Sequence, residues 1–135
     1  MQRMSRTPSV LRFLTQTLLG KQEQEQLSGI GFLDEGHGYD IFGLHPDWVK
    51  GMVAALQPLY KHWFRVTGHG TENIPTHGPA ILASNHSGMV PLDGTMIYSD
   101  VVLHTSPARV PRAVTDHFVP GLPVISTLYA RCGTV

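Results

Sequence analysis

The sequence predicts an α/β fold: an amphipathic helix, then a mixed sheet with flanking helices. Three observations predict it. The apolar residues Met52, Val53, Leu56, Leu59, Tyr60 and Trp63 recur at three- and four-residue spacing, the mark of a helix with one buried face. Two short apolar runs, residues 64–70 and 80–84, are bounded by Gly- and Pro-rich turns, as strands are. A second helical pattern over residues 92–101 follows the second run, so strand and helix alternate.

Residues 1–37 read as a flexible or helical N-terminal arm, and residues 38–135 as one domain. In the arm, Leu11, Leu14, Leu18 and Leu19 fit one helical face, residues 22–26 are polar, and Ser28 and Gly29 end the pattern. Such an arm docks on the domain, on a partner or on lipid, or stays solvated; the pattern does not choose. Its apolar stretch is broken by Thr15, Gln16 and Thr17, which excludes a secretory signal. Residues 31–46 are rich in Gly and turn formers. His45, Pro46 and Asp47 make a helix start, because proline suits the first turn and an acid complements it. The helix runs over residues 48–63. Its end, Tyr60, Lys61, His62, Trp63, Phe64 and Arg65, reads either as a membrane-interface anchor or as the aromatic seam of a core helix. Residues 68–70 close the first strand, and residues 72–79 form a turn region around Pro75 and Pro79. Residues 102–104 extend the second helix. Residues 110–114 are a short strand candidate interrupted by Pro111, and residues 116–129 hold a loop and a short helix.

Composition excludes several classes. Ten Lys and Arg balance ten Asp and Glu without clustering, so nucleic acid finds no basic footprint. No run of eighteen apolar residues exists to span a bilayer. The single cysteine, Cys132, excludes a disulfide framework within the chain and makes a reducing compartment the default. The eight histidines form no HxxxH or HExxH spacing, so no metal site is expected. There is no GxxxxGK phosphate loop and no GxSxG elbow.

The chemistry concentrates after the second apolar run, in Ser84, Asn85, His86, Ser87, Gly88, Met89, Val90, Pro91, Leu92, Asp93 and Gly94. His86 sits where a strand gives way to a loop. Asp93 follows seven positions later, where a helix begins. If the loop folds back, the carboxylate holds one ring nitrogen and leaves the other to take a proton from a hydroxyl. Backbone N–H groups at the helix start would face a developing oxyanion. The plain alternative for Asp93 is a helix cap.

This stretch resembles the signature of the lysophospholipid and glycerolipid acyltransferase superfamily, Asn-His-x-x-x-x-Asp after an apolar strand. Six residues separate His86 from Asp93 here rather than four, which is similar to the Pro-containing variant of the monoacylglycerol and diacylglycerol acyltransferase-like branch. Phe64, Arg65, Val66 and Gly68, then Glu72, Asn73, Ile74 and Pro75, then Gly78, Pro79 and Ala80, resemble the strand and turn before that signature.

The resemblance implies that His86 is the general base and Asp93 its orienter, with Asn85, Ser87, Gly88, Pro91 and Gly94 around the substrate. It implies no bound cofactor. The co-substrate would be a thioester, acyl-CoA or an acyl carrier protein, and the acceptor a glycerolipid or lysophospholipid hydroxyl. It places the protein in the cytoplasm, peripheral at a membrane face; oligomeric state is left open. The family's later blocks do not follow, so the chain is expected to be the N-terminal half of such an enzyme, with an unpaired sheet edge. Arg131 is not expected to be the family's phosphate-binding arginine. Two other readings stand beside transfer: an inactive fragment that only binds lipid or a partner, and a hydrolase that uses water as acceptor.

Overall fold

The computed structural model describes residues 8–34, 36–88 and 90–135. The arm before Pro8, and Met89 within the motif, lie outside the described residues. Five α-helices make the frame: α1 (Ser9–Leu18), α2 (Lys21–Ser28), α3 (Pro46–Pro58), α4 (Leu92–His104) and α5 (Ile125–Arg131).

Within the described part of the arm, α1 and α2 are helical and pack on the core. Leu14 and Leu18 of α1 turn onto the core, while Val10 and Phe13 face outward. The chain turns at Leu19 and Gly20, where the Glu23 carboxylate accepts from the Gly20 N–H at 2.8 Å and starts α2. α2 is polar except for Leu27, which is wholly buried. Gly51 of α3 lets α1 approach: a Cβ there would lie 2.5 Å from Leu11 Cδ2 and 3.3 Å from Leu11 Cβ and Cγ. Gly51→Val is therefore expected to cost about 1–3 kcal/mol by overpacking this contact. Urea unfolding checks it, and an unchanged midpoint would show that α1 is not held there.

α3 begins where the sequence places it. His45 is its N-cap, with Nδ1 accepting from the Asp47 N–H at 3.2 Å, and Pro46 is its first residue. It ends earlier than its periodicity predicts. Pro58 has no N–H to give to the ladder, and the chain continues as one π-helical turn, Leu59–Trp63, closed by Phe64 N–H to Leu59 O at 2.8 Å. Arg65, at φ 49°, then turns the chain out of the helix.

The core lies between α1, α2, α3 and α4. Leu19, Leu27, Ile30, Leu44, Val49, Val53, Ala54, Val102 and Leu103 are its buried members. Asp40 and Arg112 pair across the loops, and Asp40 also accepts from the Phe42 and Leu44 N–H groups at 3.0 and 2.9 Å. Burial works to raise the Asp40 pKa, but these bonds outweigh it and keep the carboxyl below its ordinary value. α5 is tied to α3 by His45 N–H to Arg131 O at 3.0 Å.

The expected mixed sheet is absent: among the described residues there is no strand. Each candidate fails for a physical reason. Residues 64–70 begin at the C-cap of the π-helical turn, Phe64, and pass through the left-handed conformation at Arg65, which a strand does not tolerate. Residues 110–114 contain Pro111, which removes a ladder donor. Residues 80–84 are extended but unpaired. Among the described residues no backbone bond from another segment reaches residues 79–86, and Ile81 is 96% exposed. A strand is made by its partner, so an apolar run with none stays an extended connector.

Candidate active site

The site stands at the N-terminus of α4. The connector of residues 80–84 delivers His86, and Gly88, at φ 100°, turns the loop back through a conformation that favours glycine. Pro91 is the N-cap of α4, and Asp93 lies in the first turn. Asp93 is thus not the capping residue. Its carboxylate reaches back across the helix start to the loop.

That carboxylate collects three donors. His86 Nδ1 lies 2.8 Å from Oδ1 and 3.0 Å from Oδ2. The Ser87 N–H donates to Oδ2 at 3.0 Å and the Gly94 N–H to Oδ1 at 2.7 Å. The Ser87 amide most, then the Gly94 amide and the His86 ring, hold the Asp93 pKa down to about 2. An ionised carboxylate against Nδ1 selects the tautomer with its proton there. Nε2 is then the ring nitrogen left to accept a proton, on a side chain 52% exposed.

Asn85, Ser87, Gly88, Pro91 and Gly94 all lie exposed around this pair. The Ser87 and Gly94 backbone N–H groups donate to Asp93. The helix-start donors read as oxyanion ligands are engaged as well: Leu92 N–H bonds Val90 O at 2.8 Å, and Gly94 N–H bonds Asp93. Arg131 lies away from the pair, over the Tyr39 ring at 4.2 Å and bonded to Gly43 O. Cys132 is buried, and burial pushes its thiol up to about 12, so it is no nucleophile. Among the described residues no three His, Cys, Asp or Glu side chains gather as a metal would need.

His86–Asp93 is one of three His–Asp pairs among the described residues. His104 Nδ1 lies 3.0 Å from Asp100 Oδ1, and His117 Nδ1 lies 2.6 Å from Asp116 Oδ1. The Asp100–His104 spacing of four on a helix was the signal for the first of these. Its carboxylate also accepts from the Tyr60 hydroxyl and lies under Gly68. Burial first, then Asp100, raise the Tyr60 pKa, so this group ties the end of α3 to α4. His117 and Asp116 are neighbours on an open loop, and nothing orients them. Among the described residues, Asp93 is the carboxylate of the three whose hold on its histidine is backed by backbone donors, the Ser87 and Gly94 N–H groups.

The His86–Asp93 pair, held by the Ser87 and Gly94 amides, thus stands half-exposed at the N-terminus of α4. The chain belongs to the acyltransferase family, whose model, described as Acyltransferase, matches residues 65–135. It is 35% identical over 130 residues to an uncharacterized protein of Mycobacterium tuberculosis, which covers 94% of this chain and 34% of that protein. An uncharacterized protein of Mycobacterium leprae is 30% identical over 124 residues, 88% of this chain and 34% of its own length. The human protein named "DGAT1/2-independent enzyme synthesizing storage lipids" is 36% identical over 97 residues, 71% of this chain and 28% of that protein. The chain thus spans about a third of the length of the curated relatives it matches. No solved structure matches it.

Proposed function

We propose that this chain carries the base of an acyltransferase that moves an acyl group from a thioester to a glycerolipid or lysophospholipid hydroxyl. The observation that carries the reading is the His86–Asp93 pair, fixed by the Ser87 and Gly94 amides, inside the segment that the family model matches. The name of the human relative supports a lipid substrate.

Asp93 holds the proton on Nδ1, and Nε2 takes the proton of the acceptor hydroxyl as its oxygen attacks the thioester carbonyl. The tetrahedral intermediate collapses, the C–S bond breaks, and the thiolate takes the proton back from Nε2. Asp93 stays ionised throughout and stabilises the imidazolium between the two transfers. The donor is acyl-CoA or an acyl carrier protein, used as co-substrate. The half-exposed ring suits an acceptor presented at a membrane face. No described helix is long and apolar enough to cross a membrane.

One observation favours a second reading. An imidazole this open admits water, and water as acceptor would make a thioesterase of the same pair. A radiolabelled acyl thioester, offered with and without a monoacylglycerol or lysophospholipid, separates the two in protein taken from its native source. Labelled acylated lipid is the expected product. Free fatty acid alone would replace the reading with hydrolysis, and no thioester consumption would remove both.

A further inference from the structure

The connector that delivers His86 is held at its far end by one side chain. Arg109 follows α4 by five residues. Its Nη2 donates to Gly78 O at 2.7 Å, and its Nη1 donates to Pro75 O. Its own N–H donates to Thr105 Oγ1 at 2.9 Å, and that hydroxyl donates to Val101 O at 2.7 Å. Thr105 is the C-cap of α4. The guanidinium is therefore mounted at the C-terminal end of the same helix whose N-terminal turn carries Asp93.

Residues 79–85 consequently run back along α4, from the Arg109 fork to the Asp93 carboxylate. The thirteen residues of α4 span about 20 Å at ~1.5 Å each. The eight steps from Gly78 to His86 reach at most about 26–29 Å at ~3.3–3.6 Å each. The segment is thus long enough to run the length of α4 in extended form with about 6–9 Å to spare.

We infer that Arg109 is a positioning residue for His86: by forking onto Pro75 and Gly78 it fixes where the connector starts, and so where the imidazole meets Asp93. The inference rests on His86 being the base. A guanidinium suits the task because its planar fork holds two carbonyls at once, whereas an ammonium is a point donor. Arg109 touches no part of the pair and acts only through the chain between.

The test reads the ring itself. With 15N-labelled histidine, two-bond 1H–15N spectra report which nitrogen of His86 carries the proton. The wild-type chain is expected to show the Nδ1–H form. Arg109→Ala is expected to shift it toward Nε2–H and to lower kcat about 10²-fold with KM for the thioester unchanged, the cost of a displacement near 1 Å. Arg109→Lys should fall between. A wild-type tautomer and kcat in Arg109→Ala would overturn the inference. If that variant does not fold, Arg109→Lys decides, and a wild-type tautomer there overturns it equally. A shifted tautomer in a protein that transfers no acyl group would keep the positioning role and remove the acyltransferase reading. Transfer with an unmoved tautomer would do the reverse.

Discussion

His86→Ala is expected to lower acyl transfer about 10²–10⁴-fold, the usual contribution of a positioned general base. The loss should fall on kcat, because the imidazole acts on the proton in flight rather than on the resting lipid. A folding defect is not expected to imitate it. The ring is half exposed and, among the described residues, its hydrogen bonds go to Asp93, so removing it leaves no core cavity. Near-UV circular dichroism of the variant should match the wild type. A rate within a few-fold of wild type would move the base elsewhere, and His104 with Asp100 would be the next pair to remove.

Asp93→Asn is expected to lose activity on the same scale, about 10²–10⁴-fold, and for a separable reason. The carboxylate accepts from three donors with two oxygens, His86 and Gly94 on Oδ1 and Ser87 with His86 on Oδ2. An amide keeps one acceptor and turns the other position into a donor. That donor must face an N–H, or the ring must give up its Nδ1 proton. The first releases the loop and the second leaves Nε2 protonated and unable to act as base. Protonation imitates the change in the wild type. The Asp93 pKa lies near 2 against an ordinary 3.8, so the folded loop favours the ionised form. Its contribution is complete above about pH 4 and is lost as the pH falls toward 2. A 13C titration of the Asp93 carboxyl should show its midpoint near 2. A midpoint close to 4 would mean that the Ser87 and Gly94 bonds do not hold in solution.

The parts of this molecule legible in the sequence are those set by neighbours along the chain. Spacing placed α3 and α4, and His45, Pro46 and Asp47 marked the start of α3 within its own first turn. The approach of Asp93 to His86 follows from seven positions of loop containing Gly88 and Pro91. The early end of the α-helical pattern was also local, since Pro58 stands in the sequence, but the apolar period runs straight through it to Trp63. The strands were not legible because a strand is settled by what lies beside it. Residues 80–84 have the composition of a strand and lack the partner. Arg109 was hidden for the same reason: its acceptors lie 34 and 31 positions away, and nothing in its own surroundings announces them.

The two-ended suspension of residues 79–85 ties two lengths together. Adding one residue to α4 would move its ends apart by about 1.5 Å and turn one against the other by about 100°. Adding one to the connector would introduce slack of about 3.3 Å. Either change shifts the imidazole relative to its carboxylate, so an insertion in the helix is expected to be matched by one in the connector. The loop between His86 and Asp93 lies outside this closed figure. Six residues make that loop here, and Gly88, at φ 100°, turns it back toward Asp93.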